Sequence, residues 1–67
     1  MPYNSPEDIN ERVYNILCPE ARLEFMQGYN NAYEYGNPEQ VCFQRAWGAV
    51  KRAGFKKNPM GVWTKEE

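Results

Sequence analysis

The chain has 67 residues, of which 42% are hydrophobic, 15% aromatic and 25% charged, and its net charge at pH 7 is −1. This length allows one domain, and so small a domain buries only about 60% of the surface that its unfolded chain exposes, so its aromatic side chains must supply much of the core. No apolar run approaches the ~18 residues of a membrane-spanning helix and no charged leader precedes a hydrophobic stretch, so we expect a cytoplasmic protein without membrane insertion.

Two alternative starts exist for the first predicted helix. Ser5 can act as the cap with Pro6 at the first helical position, or Asp8 can begin a capping box that Glu11 completes. Apolar residues follow at helical spacing until Pro19, which ends the helix because it has no backbone N–H and crowds the preceding turn.

The second predicted helix begins at Pro19, which suits a first helical turn, and ends at Gly36. Its apolar face consists of Phe25, Tyr29, Ala32 and Tyr33. Gly28 interrupts this helix, and a glycine in a helix costs roughly 0.8–1 kcal/mol relative to alanine. We therefore interpret Gly28 as a position where another element packs closely.

The third predicted helix begins with Asn37 as its cap, Pro38 as its first residue and Gln40 completing a capping box, and it ends at Gly54. Its apolar stripe consists of Phe43, Ala46, Trp47, Val50 and Ala53. Beyond Gly54, residues 55–57 and 62–64 are predicted to form two short strands around a turn at 58–61. The aromatic residues of so small a hairpin must pack on the helices.

Four motifs together resemble one family. The chain opens with "MPY", the second helix contains "YNNAY" at 29–33, the third contains "RAWGAVK" at 45–51, and Trp63 follows a short basic segment. Over about residues 1 to 65 this combination is similar to the ChaB family. The resemblance implies a mainly α fold, a single compact three-helix domain over residues 1–67 with a small antiparallel β-sheet formed by the chain ends. In that fold "MPY" would be an edge strand beside the hairpin.

The same resemblance implies a function. ChaB proteins are small and are named as regulators of cation transport, after an association with a cation/proton antiporter. Relatives also occur in viruses and phages, and DNA binding has been proposed for some of them.

The residue types argue against an enzyme. The chain has no histidine, so the commonest general base and the usual nucleophile–histidine arrangements are missing. Cys18 and Cys42 are expected to be reduced structural thiols, with a disulfide between them as the alternative. Two cysteines cannot supply the four ligands of a structural zinc site. We therefore expect neither a metal nor a cofactor.

The charge is divided unevenly along the chain. Residues 1–39 carry two arginines against seven carboxylates, a net charge of −5, whereas residues 40–67 carry six cations against two carboxylates, a net charge of +4. The candidate partner-binding residues are Arg45, Lys51, Arg52, Lys56, Lys57 and Trp63. Arg45 and Arg52 are seven positions apart and share a helical face. Trp47 is expected in the core, and Trp63 either in the core or as an exposed anchor.

Two functions therefore remain open. The first is a non-enzymatic binding or regulatory module that recognises another protein, such as the cytoplasmic face of a cation antiporter. The alternative is an accessory nucleic-acid-binding protein of viral or phage origin that uses the same basic residues. The sequence pI of about 5.4 lies far below the value above ~9 that is typical of nucleic-acid-binding domains.

Overall fold

The computed structural model describes residues 3–65 as three α-helices followed by a two-stranded antiparallel sheet. A short 3-10 turn at Pro6–Asp8 precedes α1 (Glu11–Asn15), α2 (Pro19–Glu34), α3 (Glu39–Arg52), β1 (Phe55–Lys57) and β2 (Trp63–Lys65). The predicted fold class, mainly α with a small antiparallel sheet, is confirmed. Both paired strands come from the C-terminal part of the chain.

The chain enters α1 through an extended residue. Ser5 starts the 3-10 turn, and its backbone N–H donates to Asp8 Oδ2 at 3.3 Å. Ile9 is then extended and buried, so the helix starts only after Asn10, whose side-chain oxygen accepts the backbone N–H of Arg12 at 2.9 Å. The predicted role of Asp8 as the cap of the first helix is therefore wrong, because burial of Ile9 interrupts the helix there.

The core lies between α2 and α3. The residues that these helices bury are Ala21, Phe25, Tyr29 and Ala32 from α2 and Cys42, Ala46 and Val50 from α3. Phe25 is fully buried, and its ring centroid lies 5.2 Å from that of Trp47 and 6.3 Å from that of Phe43. Tyr33 was predicted on the buried face but is 40% exposed, because it lies about 85° around α2 from the centre of that face.

Gly28 brings the two long helices together. A Cβ atom built on Gly28 would lie 2.9 Å from the Cβ of Ala49 and 3.0 Å from both the Cα of Ala46 and the carbonyl oxygen of Arg45. Such distances are shorter than normal van der Waals contacts, so only glycine permits this approach. The interpretation of Gly28 as a close-packing position is confirmed.

The connection between α2 and α3 corrects a second predicted cap. Asn37 does not cap α3, whose N-cap is Pro38. The Asn37 side chain instead turns back to α2, where its Nδ2 donates to the carbonyl oxygen of Ala32 at 3.1 Å. Gly36 makes this reversal with a φ of 86°, and the buried thiol of Cys42 donates to the Asn37 carbonyl at 3.6 Å.

The hairpin pairs Phe55 with Lys65 and Lys57 with Trp63, and its first strand buries Phe55. Asn58 organises the turn, since its side-chain oxygen accepts the backbone N–H groups of Met60 and Val62 at 2.9 and 3.0 Å. The second strand begins one residue later than predicted.

The connection between α1 and α2 is joined to the hairpin by backbone pairing. The N–H of Cys18 donates to the carbonyl of Trp63 at 3.1 Å, and the N–H of Trp63 donates to the carbonyl of Ile16 at 2.6 Å. Leu17, between these partners, forms a parallel bridge with Trp63. Cys18 and Cys42 are free thiols, so the disulfide alternative is excluded.

The N-terminal segment docks on α2 rather than on the sheet. Of the "MPY" motif, Met1 and Pro2 lie outside the described residues. Tyr3 is not in a strand: its N–H donates to Oδ1 of Asn30 and its carbonyl accepts from Nδ2 of Asn30, both at 2.8 Å. Its ring stacks on Tyr29 with centroids 4.5 Å apart. The expected edge strand is therefore wrong at Tyr3, because Asn30 occupies its backbone groups.

Candidate functional site

The predicted site residues fall on three parts of the surface. All five cations are exposed and Trp63 is half-buried. Arg45 and Arg52 line a groove between α2 and α3, whereas Lys51 lies on α3 outside that groove. Lys56 and Lys57 belong to β1, which follows Gly54, where the chain turns away from the axis of α3.

The spacing of Arg45 and Arg52 explains why they share the groove. Seven residues make nearly two helical turns, so their side chains leave the helix on the same face, about 10.5 Å apart along its axis. Lys51 is rotated by about 100° from Arg52 and faces away from α2. The structure thus keeps the predicted arginine pair together but does not add the lysines to it.

The groove has a volume of about 550 Å³ and is lined by polar and small residues. The residues lining it are Gly28, Asn31, Ala32 and Tyr35 from the α2 side, Asn37 from the connection, and Gln44, Arg45, Gly48, Ala49 and Arg52 from α3. None of these described residues is a carboxylate, and Arg45 and Arg52 supply the positive charge among them. Gly48 is exposed and has no side chain, so the α3 backbone is uncovered at this position.

Another arginine has a different role. The Nε of Arg22 donates to the carbonyl of Tyr14 at 2.9 Å, and its guanidinium carbon lies 3.6 Å from the centroid of the Tyr14 ring. This stacking and hydrogen bond attach α1 to α2. Arg22 is therefore a structural cation, whereas Arg45 and Arg52 make no such contact with the described residues.

Sequence reasoning missed the α2 side of the groove. Asn31 and Tyr35 lie within and just after α2 and meet the α3 arginines only because Gly28 allows the two helices to approach closely. Tyr35 is 87% exposed, which is unusual for a large aromatic side chain. Gly48 was the available signal for this site, since the sequence provides no obvious reason for a glycine inside the third helix.

The environment of Trp63 is intermediate between the two that were predicted, the core and an exposed anchor. Its ring packs on Trp47 with centroids 5.4 Å apart, and Trp47 in turn packs edge-on against Phe25. Both tryptophans contact the core while remaining partly exposed. Trp63 is the cross-strand partner of Lys57, so the hairpin presents an aromatic and basic surface distinct from the groove.

Two buried or half-buried tyrosines have perturbed ionisation. Burial raises the pKa of Tyr29 above its ordinary value, and the negative charge of Glu39 raises it further. Burial likewise raises the pKa of Tyr3, with Tyr29 and Glu39 adding to the effect. Both phenols therefore stay protonated at neutral pH and act as packing groups.

The described part of the chain has two further properties. No three side chains of the metal-binding types cluster within residues 3–65. None of the helices there combines the length and the apolar character needed to cross a bilayer.

The family model named ChaB matches residues 9–66. The matched region contains "YNNAY", "RAWGAVK" and Trp63, and it leaves the "MPY" motif outside. No curated protein and no solved structure matches the chain.

Proposed function

The chain belongs to the ChaB family, and on that premise we propose that it is a small non-enzymatic binding protein that regulates cation transport through contacts with another protein. The contact surface comprises Arg45, Lys51, Arg52, Lys56, Lys57 and Trp63. The protein acts in the cytoplasm, and its partner is the cytoplasmic face of a cation antiporter.

The observation that carries this proposal is the pair of arginines in the α2–α3 groove. Arg45 and Arg52 are exposed, project from one helix and share a groove that no carboxylate of residues 3–65 lines. Guanidinium groups in such a setting bind carboxylates with two parallel hydrogen bonds and add orientation as well as affinity. Within the part of the chain that the structure describes, neither arginine makes an intramolecular contact of the kind that Arg22 makes.

Exposure of all five cations favours nucleic acid as a second candidate partner. Binding to phosphates needs accessible cations and weakens steeply as salt concentration rises. Against this stands the acidic pI of about 5.4, since the net charge of −1 gives no overall attraction to a polyanion. We therefore rank the protein partner first.

The test uses photo-crosslinking in cells. Tyr35 at the groove rim and Met60 at the hairpin tip are 87% and 88% exposed, so a crosslinking amino acid at either position is equally accessible. A crosslink to a protein from position 35 that disappears with Arg45→Glu and Arg52→Glu supports the proposal. A crosslink only to nucleic acid refutes it.

The transport role needs a separate measurement. Cation/proton exchange is measured in membrane vesicles from cells that lack the protein, with and without addition of the purified chain. A change in exchange rate that the Arg45→Glu, Arg52→Glu variant no longer produces supports regulation. Unchanged exchange refutes the transport part of the proposal.

A further inference from the structure

Gly48 has no structural reason to be glycine. It lies in the interior of α3, its φ is not positive, and a Cβ built on it would meet nothing within 4 Å. Gly28, by contrast, is required by packing and Gly36 by its positive φ. Because glycine destabilises a helix interior relative to alanine, α3 is less stable with glycine at this position than with alanine.

Gly48 is an exposed residue that lines the groove. Arg45 is three residues before it and Arg52 four residues after it, so one arginine leaves α3 about one helical turn to either side of Gly48. A segment lying over Gly48 would have both arginines within reach. It could also approach the α3 backbone more closely than any side chain at position 48 would permit.

Polar side chains on the groove rim suit a polypeptide ligand. Asn31 and Gln44 each offer an amide donor and an amide acceptor, which match the N–H and C=O groups of a peptide backbone. Tyr35 adds an exposed aromatic ring at the rim, a residue type that is enriched at protein interfaces. The rim and the arginines therefore present complementary groups for a backbone and for acidic side chains.

We propose that the α2–α3 groove binds an acidic segment of a partner protein, with carboxylates of that segment held by Arg45 and Arg52 and its backbone lying over Gly48. This inference rests on the proposed function and specifies the partner's chemistry. It divides the basic surface into a binding groove and a separate hairpin.

The number of cations favours an acidic polypeptide over nucleic acid. Among the described residues, the cations that line the groove are Arg45 and Arg52, whereas Lys51, Lys56 and Lys57 lie outside it. Affinity for a polyphosphate comes from neutralising many phosphates at once. Two arginines that leave one helix face at positions about 10.5 Å apart along its axis instead suit two carboxylates on one short segment.

The experiment records amide NMR spectra of the ¹⁵N-labelled full chain at ~50 mM salt while decaglutamate is added. Decaglutamate carries pairs of carboxylates at many different separations, so that some pair can reach both Arg45 and Arg52. An oligothymidylate of similar formal charge provides the matched phosphate probe. The amides of Gly28 and Gly48 report on the groove and that of Gly61 on the hairpin. We expect decaglutamate to shift the amide resonances of Gly28 and Gly48 and to leave that of Gly61 unchanged.

Variants separate the groove from general charge. Arg45→Gln with Arg52→Gln should weaken decaglutamate binding at least about tenfold. Arg12→Gln with Lys65→Gln removes the same charge from two exposed positions outside the proposed contact surface and should change binding less than about twofold. Gly48→Leu should weaken decaglutamate binding at least about tenfold, because a leucine side chain would occupy the open space over the α3 backbone between the two arginines. The open space around position 48 lets this variant fold, as its spectrum will verify.

Three outcomes would overturn the inference. If decaglutamate shifts Gly61 but not the groove glycines, the groove is the wrong site, while the proposed protein-binding function stands. If oligothymidylate occupies the groove more tightly, the partner class is wrong and the proposed function gives way to nucleic-acid binding. If neither probe shifts the groove glycines up to ~5 mM, the groove binds no acidic ligand of useful affinity.

Discussion

Two glycines in the two long helices should respond oppositely to the same substitution. Gly28→Ala and Gly48→Ala each add one methyl group to a helix interior. At Gly48 the methyl group enters open space, whereas at Gly28 it meets Ala49 Cβ at 2.9 Å and two backbone atoms at 3.0 Å. The comparison isolates the helix–helix contact because the change in helix propensity is the same in both variants.

The magnitudes follow from these environments. Alanine stabilises an exposed helix interior by about 0.8–1.0 kcal/mol relative to glycine, so Gly48→Ala should raise the free energy of unfolding by that amount. Overpacking typically costs about 1–3 kcal/mol, and the upper part of that range applies at Gly28 because backbone atoms cannot move aside alone. The net loss for Gly28→Ala is about 2 kcal/mol, which lowers the Tm by about 8–16 °C in a domain of this size.

Urea denaturation followed by tryptophan fluorescence measures both variants, since Trp47 and Trp63 pack at the edge of the core. If the free energy of unfolding falls with urea concentration at the same slope in the unchanged chain and in both variants, differences between their urea midpoints report stability alone. If Gly28→Ala proved as stable as the unchanged chain, α2 and α3 would not approach as closely as described. The groove between them would then lose its geometric basis.

Three further predictions concern the core and the N-terminal segment. Asn30→Ala removes both side-chain hydrogen bonds to Tyr3, so it should lower the free energy of unfolding by about 1–2 kcal/mol and speed hydrogen exchange at the Tyr3 amide. Gln27→Ala, at an exposed position of the same helix, should change neither the stability nor that exchange rate. Phe25→Ala should lower the free energy of unfolding by about 3–5 kcal/mol, a large share of the ~3–10 kcal/mol total expected for this chain length. Circular dichroism should therefore show substantial helix loss, and full helicity would contradict the central place of Phe25 in the core. Because the pKa of Tyr29 is raised above 10.0, the folded state holds this proton more tightly than the unfolded chain. Its stabilising contribution is complete below about pH 10 and is lost as pH rises through the raised pKa, so Tyr29→Phe should flatten the decline seen in urea melts above about pH 10.

The long helices were predictable because local signals and packing agree there. Pro19 and Gly36 delimit α2 within about two residues, and helical spacing found most of its buried face. The caps at Asp8 and Asn37 were not predictable in the same way. A short polar side chain near a helix end can bond to either neighbouring segment, and burial of Ile9 and the reversal at Gly36 decide between them.

The site was only partly predictable for a related reason. The pairing of Arg45 with Arg52 follows from helical spacing alone. Lys56 and Lys57 were grouped with them because they are close in sequence, but Gly54 ends α3 and directs them into a strand. The α2 side of the groove depends on the distance between two helices, which no local sequence pattern specifies.

The bridge between Leu17 and Trp63 also has a consequence for the order of folding. It joins positions 46 residues apart, whereas α2 and α3 are neighbours in the chain. Closing a flexible loop of that length costs about 3 kcal/mol of chain entropy, whereas the helix pair needs only a short connection. The helix pair should therefore form first, with the bridge closing last. Trp47 would report the early event and Trp63 the late one, so the two tryptophans mark successive steps in one refolding trace.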